Sequence, residues 1–168
     1  MKHVATSFSV HERLKAATEF LAHFANNEVL ILAPTRAAAD ELARGMCAQS
    51  GGVFGVHRFT LLQFAIQAAT KRLVEAGKTI LGGVAVDALA ARAVYECRKR
   101  GNLQWFESVA RTPGFFKALA STISELRLNN IEPAQLKQSG SSGEDLANLL
   151  VEYSKSLDEI GLADAASI

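Results

Sequence analysis

The sequence is poor in cysteine, proline and tryptophan. It contains two cysteines, three prolines and one tryptophan in 168 residues. Cys47 and Cys97 lie far apart, and neither belongs to a CxxC or Cys/His pattern of the kind that binds zinc or exchanges disulfides. Both are predicted to be reduced and half-buried, packed as small apolar side chains. The cysteine pattern therefore predicts neither a disulfide scaffold nor a zinc site.

Long apolar runs and an excess of one charge are also missing. No window approaches the roughly 18 apolar residues of a membrane-spanning helix, and the N-terminus lacks the apolar stretch of a signal peptide. We therefore expect a cytoplasmic protein with no membrane partner. The 18 basic and 17 acidic residues give a net charge of +1, so no global field attracts the chain to nucleic acid. Any DNA contact has to be local.

The most informative stretch is an apolar run followed by a sharp corner, within residues 28–44, EVLILAPTRAAADELAR. The run that begins at Val29 has no polar interruption, which is typical of a parallel strand covered on both faces. Pro34 cannot donate to a sheet and so ends the strand, and Thr35 can cap a helix that begins at Arg36. A strand end beside a helix start forms the edge of an α/β sheet where ligands usually bind.

Two more strands are predicted in the first part of the chain, because residues 3–5 and 54–57 are short apolar runs. Ser9 and Glu12 form an S-x-x-E capping box, which predicts a helix from there to about Ala25. The alternation of strand and helix is typical of βαβ units with a parallel sheet.

Beyond about residue 60 the pattern is helical only. The predicted helices span residues 61–75, 84–100, 104–110, 114–128 and 142–160, with a short turn at 133. The order of elements predicts an α/β fold, in which a partial parallel sheet of about three strands carries an attached all-helical subdomain. We expect domain limits of 1–76 and 77–168. Residues 164–168 have the pattern of another helix start, so we expect the helical subdomain to be truncated at the C-terminus.

Two segments resemble motifs of superfamily-one helicases. Residues 33–44, APTRAAADELAR, resemble motif Ia, in which a threonine at a strand end is followed by an Ala-Ala-x-Glu helix. Residues 56–65, VHRFTLLQFA, are similar to the motif that follows it, of the type T-x-H-S-F-A-x-x-L. Superfamily-two helicases also use Ala-Pro-Thr-Arg, but they continue directly with Glu-Leu-Ala, whereas here Glu41 follows three alanines and Asp40.

The later helices add a second resemblance. Residues 123–133, ISELRLNNIEP, and 153–164, YSKSLDEIGLAD, are similar to the helical insertion of AddB-type subunits. These are the helicase-like, nuclease-bearing partners in bacterial double-strand-break repair complexes. The resemblance implies a sheet of the P-loop helicase type in the N-terminal region of a longer protein with a PD-(D/E)XK nuclease. It also implies single-stranded or duplex-end DNA and a partner helicase subunit as partners.

The phosphate loop of that family is missing. Such a loop would place G-x-x-x-x-G-K-[ST] between the first strand and the first helix, because closely spaced backbone amides need glycine. Here residues 6–13 read TSFSVHER, and the first glycine of the chain is Gly45. Phe8 and Val10 would block close approach of a nucleotide to the backbone. The segment is therefore predicted to hydrolyse no ATP and to need no cofactor.

The resemblance implies that Thr35 and Arg36 contact the backbone of single-stranded DNA. In the family the equivalent corner holds a phosphate with the hydroxyl, the helix-start amides and the positive end of the helix dipole. The alternative is that Thr35 only caps the helix and that Arg36 is a solvated residue of its first turn.

A second predicted DNA-contact cluster consists of His57, Arg58 and Thr60. The histidine could donate to a phosphate or sugar, the arginine could pair with the backbone, and Phe59 could stack on a base. The alternative is a strand-end histidine bonded within the fold, with Phe59 in the core, and for Phe59 this alternative is favoured.

No catalytic centre is predicted in the segment itself. It has no G-x-S-x-G signature, and its carboxylate pairs at 144–145 and 158–159 are expected to face solvent. Trp105 is expected to be a hydrophobic plug between helices. Three scattered histidines lack the spacing of metal ligands: His3, His11 and His23. The main alternative function is a non-catalytic α/β protein-interaction module with no nucleic-acid role.

Overall fold

A computed structural model of the chain describes residues 3–24 and 27–168. The chain forms two compact units, Met1–Ala68 and Ala69–Ile168. The boundary between the units falls inside a helix, so the predicted domain limits of 1–76 and 77–168 stay a prediction. None of the helices in the described ranges is long and apolar enough to cross a membrane.

The N-terminal unit alternates helices and strands. Its elements are α1 (Val10–Ala22), β1 (Val29–Ala33), α2 (Arg36–Ser50), β2 (Val56–Thr60) and α3 (Leu61–Glu75), the last of which continues into the second unit. Two of the helix starts are confirmed by their caps. The Ser9 hydroxyl accepts from the Glu12 N–H, and the Thr35 hydroxyl accepts from the Ala38 N–H.

The sheet of this unit has two strands, so the predicted three-stranded sheet is wrong. β1 and β2 run parallel, with Val29 opposite Val56 and Ala33 opposite Thr60, and α2 connects them. Residues 3–5 form no strand, and Val4 is 88% exposed. An apolar run of three residues is too short to indicate a strand, because strands are stabilised by pairing across the sheet and not by local propensity alone.

Two other boundaries differ from the predictions. The second strand of the sheet covers Val56–Thr60 and not 54–57, so the predicted corner at Arg58 lies inside the strand. Helix α1 ends at Ala22, three residues before the predicted end. Ala25 and Asn26 lie outside the described residues.

One face of the sheet is covered, and the other is open. Ile31 is buried together with Ala39 and Met46 of α2. Leu30 and Leu32 alternate with Ile31 along β1, and they are 45% and 44% exposed. The prediction that β1 is covered on both faces is therefore wrong for the described chain.

The second unit is almost entirely helical. Its further elements are β3 (Thr79–Ile80), α4 (Gly83–Lys99), α5 (Pro113–Leu128), α6 (Pro133–Leu136), α7 (Ser141–Ile160) and β4 (Leu162–Ala163). Two 3-10 turns, Lys137–Ser139 and Ala165–Ser167, follow α6 and β4. The two short strands pair in parallel and were not predicted from the sequence. The chain as described is thus an α/β protein that is mostly helical.

The core of the second unit lies between α4, α5 and α7. Val94, Ile123 and Tyr153 are almost completely buried there, one from each helix. The Tyr153 hydroxyl has no hydrogen-bond partner among the described residues, and burial raises its pKa to about 12. Cys97 is also buried, and burial raises the pKa of its thiol to about 11, whereas Cys47 is exposed. Neither cysteine is half-buried as predicted.

Asp145 corrects two sequence-based predictions. It is only 2% exposed, and its carboxylate accepts the backbone N–H groups of Gln104 and Phe106 at 2.9–3.1 Å. The expectation that the 144–145 pair faces solvent is therefore wrong for Asp145. The segment that Asp145 holds forms turns and not the predicted helix, and Trp105 within it is 63% exposed and not a buried plug.

Arg127 joins three parts of the second unit. From α5 its guanidinium donates to both carboxylate oxygens of Asp164 at 2.6 and 3.1 Å, and to the Ser154 hydroxyl of α7 at 2.9 Å. Burial alone would raise the pKa of Asp164, but hydrogen bonds from Arg127 and Ser167 outweigh it and hold the pKa below its ordinary value of 3.8. Arg127 thus fixes the C-terminal turn to the helices.

Candidate nucleic-acid interface

The parallel pairing brings the two predicted corners to one edge of the sheet. Ala33 and Thr60 are direct partners in the register, so β1 and β2 end side by side. Helix α2 begins three residues after Ala33, and α3 begins directly after Thr60. Two helix N-termini therefore open at the same edge, where backbone N–H groups and the helix dipoles favour an anion.

Thr35 occupies its position because its extended backbone, with φ −133° and ψ 155°, is the conformation of a helix N-cap. Its side-chain oxygen accepts from the Ala38 N–H at 3.2 Å. The hydroxyl proton is still able to donate, since a threonine hydroxyl has one donor in addition to its acceptor sites. Capping and phosphate contact are therefore compatible at this residue.

Thr60 caps the second helix in the same way. Its hydroxyl accepts from the Gln63 N–H at 3.2 Å, and the Gln63 side-chain oxygen accepts from the Thr60 N–H at 3.0 Å. This reciprocal pair is a capping box, which fixes the start of α3 against the end of β2. The Thr60 hydroxyl also keeps its proton for an external acceptor.

Arg36 and Arg58 meet beside these caps. The Arg36 Nη1 group donates to the Arg58 backbone carbonyl at 2.6 Å. Both side chains also approach one oxygen of Asp40, with Arg36 Nε 3.3 Å and Arg58 Nη1 3.1 Å from Oδ1. The two guanidinium groups and one carboxylate leave a local charge of about +1 beside the helix starts.

Both arginines keep donors for an external ligand. The Nη2 groups of Arg36 and Arg58 donate no hydrogen bond to any residue in the described ranges. The side chains are 49% and 39% exposed. Arg36 is therefore more than a solvated first-turn residue, because it is held against β2 while part of its guanidinium faces solvent.

His57 is not part of this group. Side chains alternate along a strand, and Arg58 contacts Asp40 on the α2 side of the sheet. His57 is exposed on the opposite face, next to Leu30 in the register, and its ring makes no hydrogen bond within the part of the chain that is described. Phe59 alternates to that same face, where it is half-buried and lies 6.4 Å from Phe64, ring to ring. The structure thus brings together Thr35, Arg36, Arg58 and Thr60 and separates His57 from them.

Two residues of this edge were not singled out from the sequence. Gln63 had a readable signal, because Thr60 and Gln63 form a T-x-x-Q capping pattern. For Asp40 the sequence shows only one of its two contacts. Its spacing of four from Arg36 allows a helical ion pair, but its contact with Arg58 depends on the folding of β2 against α2.

The arrangement fits the binding of an anion better than a chemical reaction. It combines hydroxyl donors, helix-start amides and guanidinium groups, all of which suit phosphate oxygens. Within residues 3–24 and 27–168, no group of three or more His, Cys, Asp or Glu residues is placed to hold a metal ion. Among the described residues, the hydrogen bonds recorded at the two threonine hydroxyls are their capping bonds from the Ala38 and Gln63 N–H groups, and neither bond activates a nucleophile.

Comparison with known proteins identifies no family for this chain. A scan against protein-family models finds no match, and a search of curated protein sequences gives no significant match. The resemblance to AddB-type subunits therefore rests on the quoted segments of this sequence alone.

Proposed function

We propose that this chain contacts the backbone of single-stranded DNA through the edge formed by Thr35, Arg36, Arg58 and Thr60. The observation that supports this most strongly is the register of Ala33 with Thr60, which sets two capped helix starts and two arginines side by side. Successive phosphates of a strand need donors of this kind repeated over a short distance. The proposed contact reads the backbone and not the base sequence.

In this proposal the chain is an ATPase-inactive, helicase-like module. Residues 6–13 contain no glycine, and Phe8 within them is fully exposed. Residues 3–5 do not form the strand that would precede a phosphate loop. These observations support a role in which the module holds DNA, or acts as a scaffold, while another subunit supplies ATP hydrolysis.

The motif resemblance supports a wider assignment. On that basis the chain is the N-terminal region of a helicase–nuclease subunit in DNA double-strand-break repair, with a sheet of the P-loop helicase type and a cytoplasmic location. Its partners are then single-stranded or duplex-end DNA and a second helicase subunit. Nuclease activity belongs to the longer parent protein and not to this segment.

Fluorescence anisotropy with a labelled oligothymidylate tests the proposed DNA contact. We expect the 168-residue chain to bind at low salt and to lose affinity as salt rises from about 50 to about 200 mM, because binding releases counterions from the phosphates. Two to three phosphate contacts on a single strand predict a slope of about −1.4 to −2.1 in a plot of log affinity against log salt. Absence of binding at the lowest salt would contradict the proposal.

A second function has one observation in its favour. The open face of the sheet exposes Leu30 and Leu32, and parallel strands are normally covered on both faces. A protein-interaction module with no nucleic-acid role would bind its partner through this face. The edge formed by Thr35, Arg36, Arg58 and Thr60 would then bind no ligand. The anisotropy experiment separates the two, since only the DNA-binding proposal predicts salt-dependent affinity for the oligonucleotide.

A further inference from the structure

Asp40 stands where a phosphate group would be expected. Its Oδ1 atom lies 3.3 Å from Arg36 Nε and 3.1 Å from Arg58 Nη1, so two guanidinium groups converge on one anionic oxygen. Arginine pairs bind phosphate oxygens in the same way. The carboxylate belongs to the helix whose N-terminus opens at the proposed contact edge.

We propose that Asp40 is a built-in competitor that lowers the affinity of this edge for a phosphodiester, and that a bound DNA backbone takes over its arginine partners. The inference rests on the proposed function, since it concerns the regulation of that same edge. In the free chain the carboxylate partly neutralises Arg36 and Arg58. In the bound chain it remains near the phosphate and repels it.

The ion pairs of Asp40 with Arg36 and Arg58 contribute little to the folding stability of the chain. The Asp40 side chain is 36% exposed, and its partners are 49% and 39% exposed, a setting in which ion pairs contribute little to stability. Arg36 also has a separate anchor, because its Nη1 group donates to the Arg58 carbonyl at 2.6 Å. Arg36 would therefore keep its position if the charge of Asp40 were removed, whereas the Arg58 side chain donates to Asp40 and needs an acceptor there.

The variant Asp40→Asn removes the charge and keeps an oxygen that accepts from both arginines. A carboxylate and a phosphate several ångströms apart at a solvated edge repel each other enough to change affinity about threefold to fivefold. We therefore expect Asp40→Asn to bind oligothymidylate about threefold to fivefold more tightly at low salt. The salt slope should steepen by up to about 0.7, as for one more phosphate neutralised on a single strand.

Glu41→Gln is the matched control. It changes the net charge by the same amount at the neighbouring position, but Glu41 pairs with Arg44, at 2.6 Å, and not with the arginines of the edge. We expect its affinity to change less than about twofold, because Glu41 is an exposed residue whose partner is Arg44, so its removal leaves the charges of Arg36 and Arg58 unchanged. Thermal unfolding of both variants followed by circular dichroism should match the wild type, so a change in affinity does not reflect misfolding.

The outcomes separate this inference from the proposed function. If the wild-type chain binds DNA and Arg36→Ala weakens it, but Asp40→Asn binds no more tightly than Glu41→Gln, the competitor role is wrong while the DNA contact stands. If neither the wild type nor Asp40→Asn binds at low salt, both are wrong. Tighter binding by Asp40→Asn together with a steeper salt slope supports both.

Discussion

Replacing Arg127 with alanine is expected to lower the free energy of unfolding by about 3 kcal/mol. The reason is the carboxylate that it leaves behind. Asp164 is 6% exposed, and Arg127 donates two charge-assisted hydrogen bonds to the Asp164 carboxylate, at 2.6 and 3.1 Å. Removing one partner of a buried ion pair leaves an uncompensated charge, which is far more costly than losing a surface pair. Urea denaturation followed by circular dichroism measures the change.

Arg98→Ala is the control for this prediction. Arg98 also binds a carboxylate with two nitrogens, at 2.8 and 3.1 Å, but that carboxylate is Glu107, whose side chain is 46% exposed. Water can replace the arginine there, so we expect a much smaller effect. Equal destabilisation by the two variants would contradict the role assigned to burial at Asp164.

The loss of unfolding free energy in Arg127→Ala is expected to depend on pH. The pKa of Asp164 in the folded chain is held below its ordinary value of 3.8, mainly by Arg127 against the effect of burial. The corresponding stability is present above pH 3.8 and is lost as the pH falls through the lower folded pKa. The difference between wild type and Arg127→Ala should therefore be largest near neutral pH and should shrink below about pH 4.

The double variant Thr35→Ala plus Arg36→Ala is expected to weaken oligothymidylate binding about tenfold to hundredfold at low salt. It removes one hydroxyl donor and one guanidinium from the edge, and it also removes the contact with the Arg58 carbonyl. Loss of the Thr35 cap should cost about 1 kcal/mol of stability, so folding must be checked in the same samples.

Ser9→Ala plus Arg44→Ala is the matched control for that variant. It removes one capping hydroxyl and one arginine from the same unit, at the start of α1 and about 12 Å further along α2. We expect a comparable loss of stability and little loss of DNA affinity. If this control weakens binding as much as the double variant at the edge, the contact is diffuse electrostatic attraction and not the proposed site.

Sequence reasoning succeeded where the signal was local. The starts of α2 at Arg36 and of α3 at Leu61 agree with the predictions, because the caps at Thr35 and Thr60 lie within three residues of the amides or side chains that they bind. The corner that places Thr35 is likewise fixed by Pro34, which cannot donate a hydrogen bond to a sheet. Local capping chemistry thus located the edge of the sheet.

The remaining features depend on contacts between distant residues. The burial of Asp145 follows from its bonds to Gln104 and Phe106, which no helix pattern shows. The pairing of β3 with β4 joins residues about eighty positions apart and involves two residues on each strand. The predicted cluster of His57, Arg58 and Thr60 is divided in the structure, because side chains alternate along β2 and His57 lies on the opposite face.

The most direct test of the DNA contact is to map it by NMR on the uniformly ¹⁵N-labelled chain during titration with oligothymidylate. We predict that the largest shift changes fall on the first-turn amides of α2 and α3 and on the side-chain Nε–H signals of Arg36 and Arg58. Amides in the middle of α5 and α7 should not change. Binding with its largest changes outside residues 33–40 and 58–63, or no change at any residue, would contradict the account.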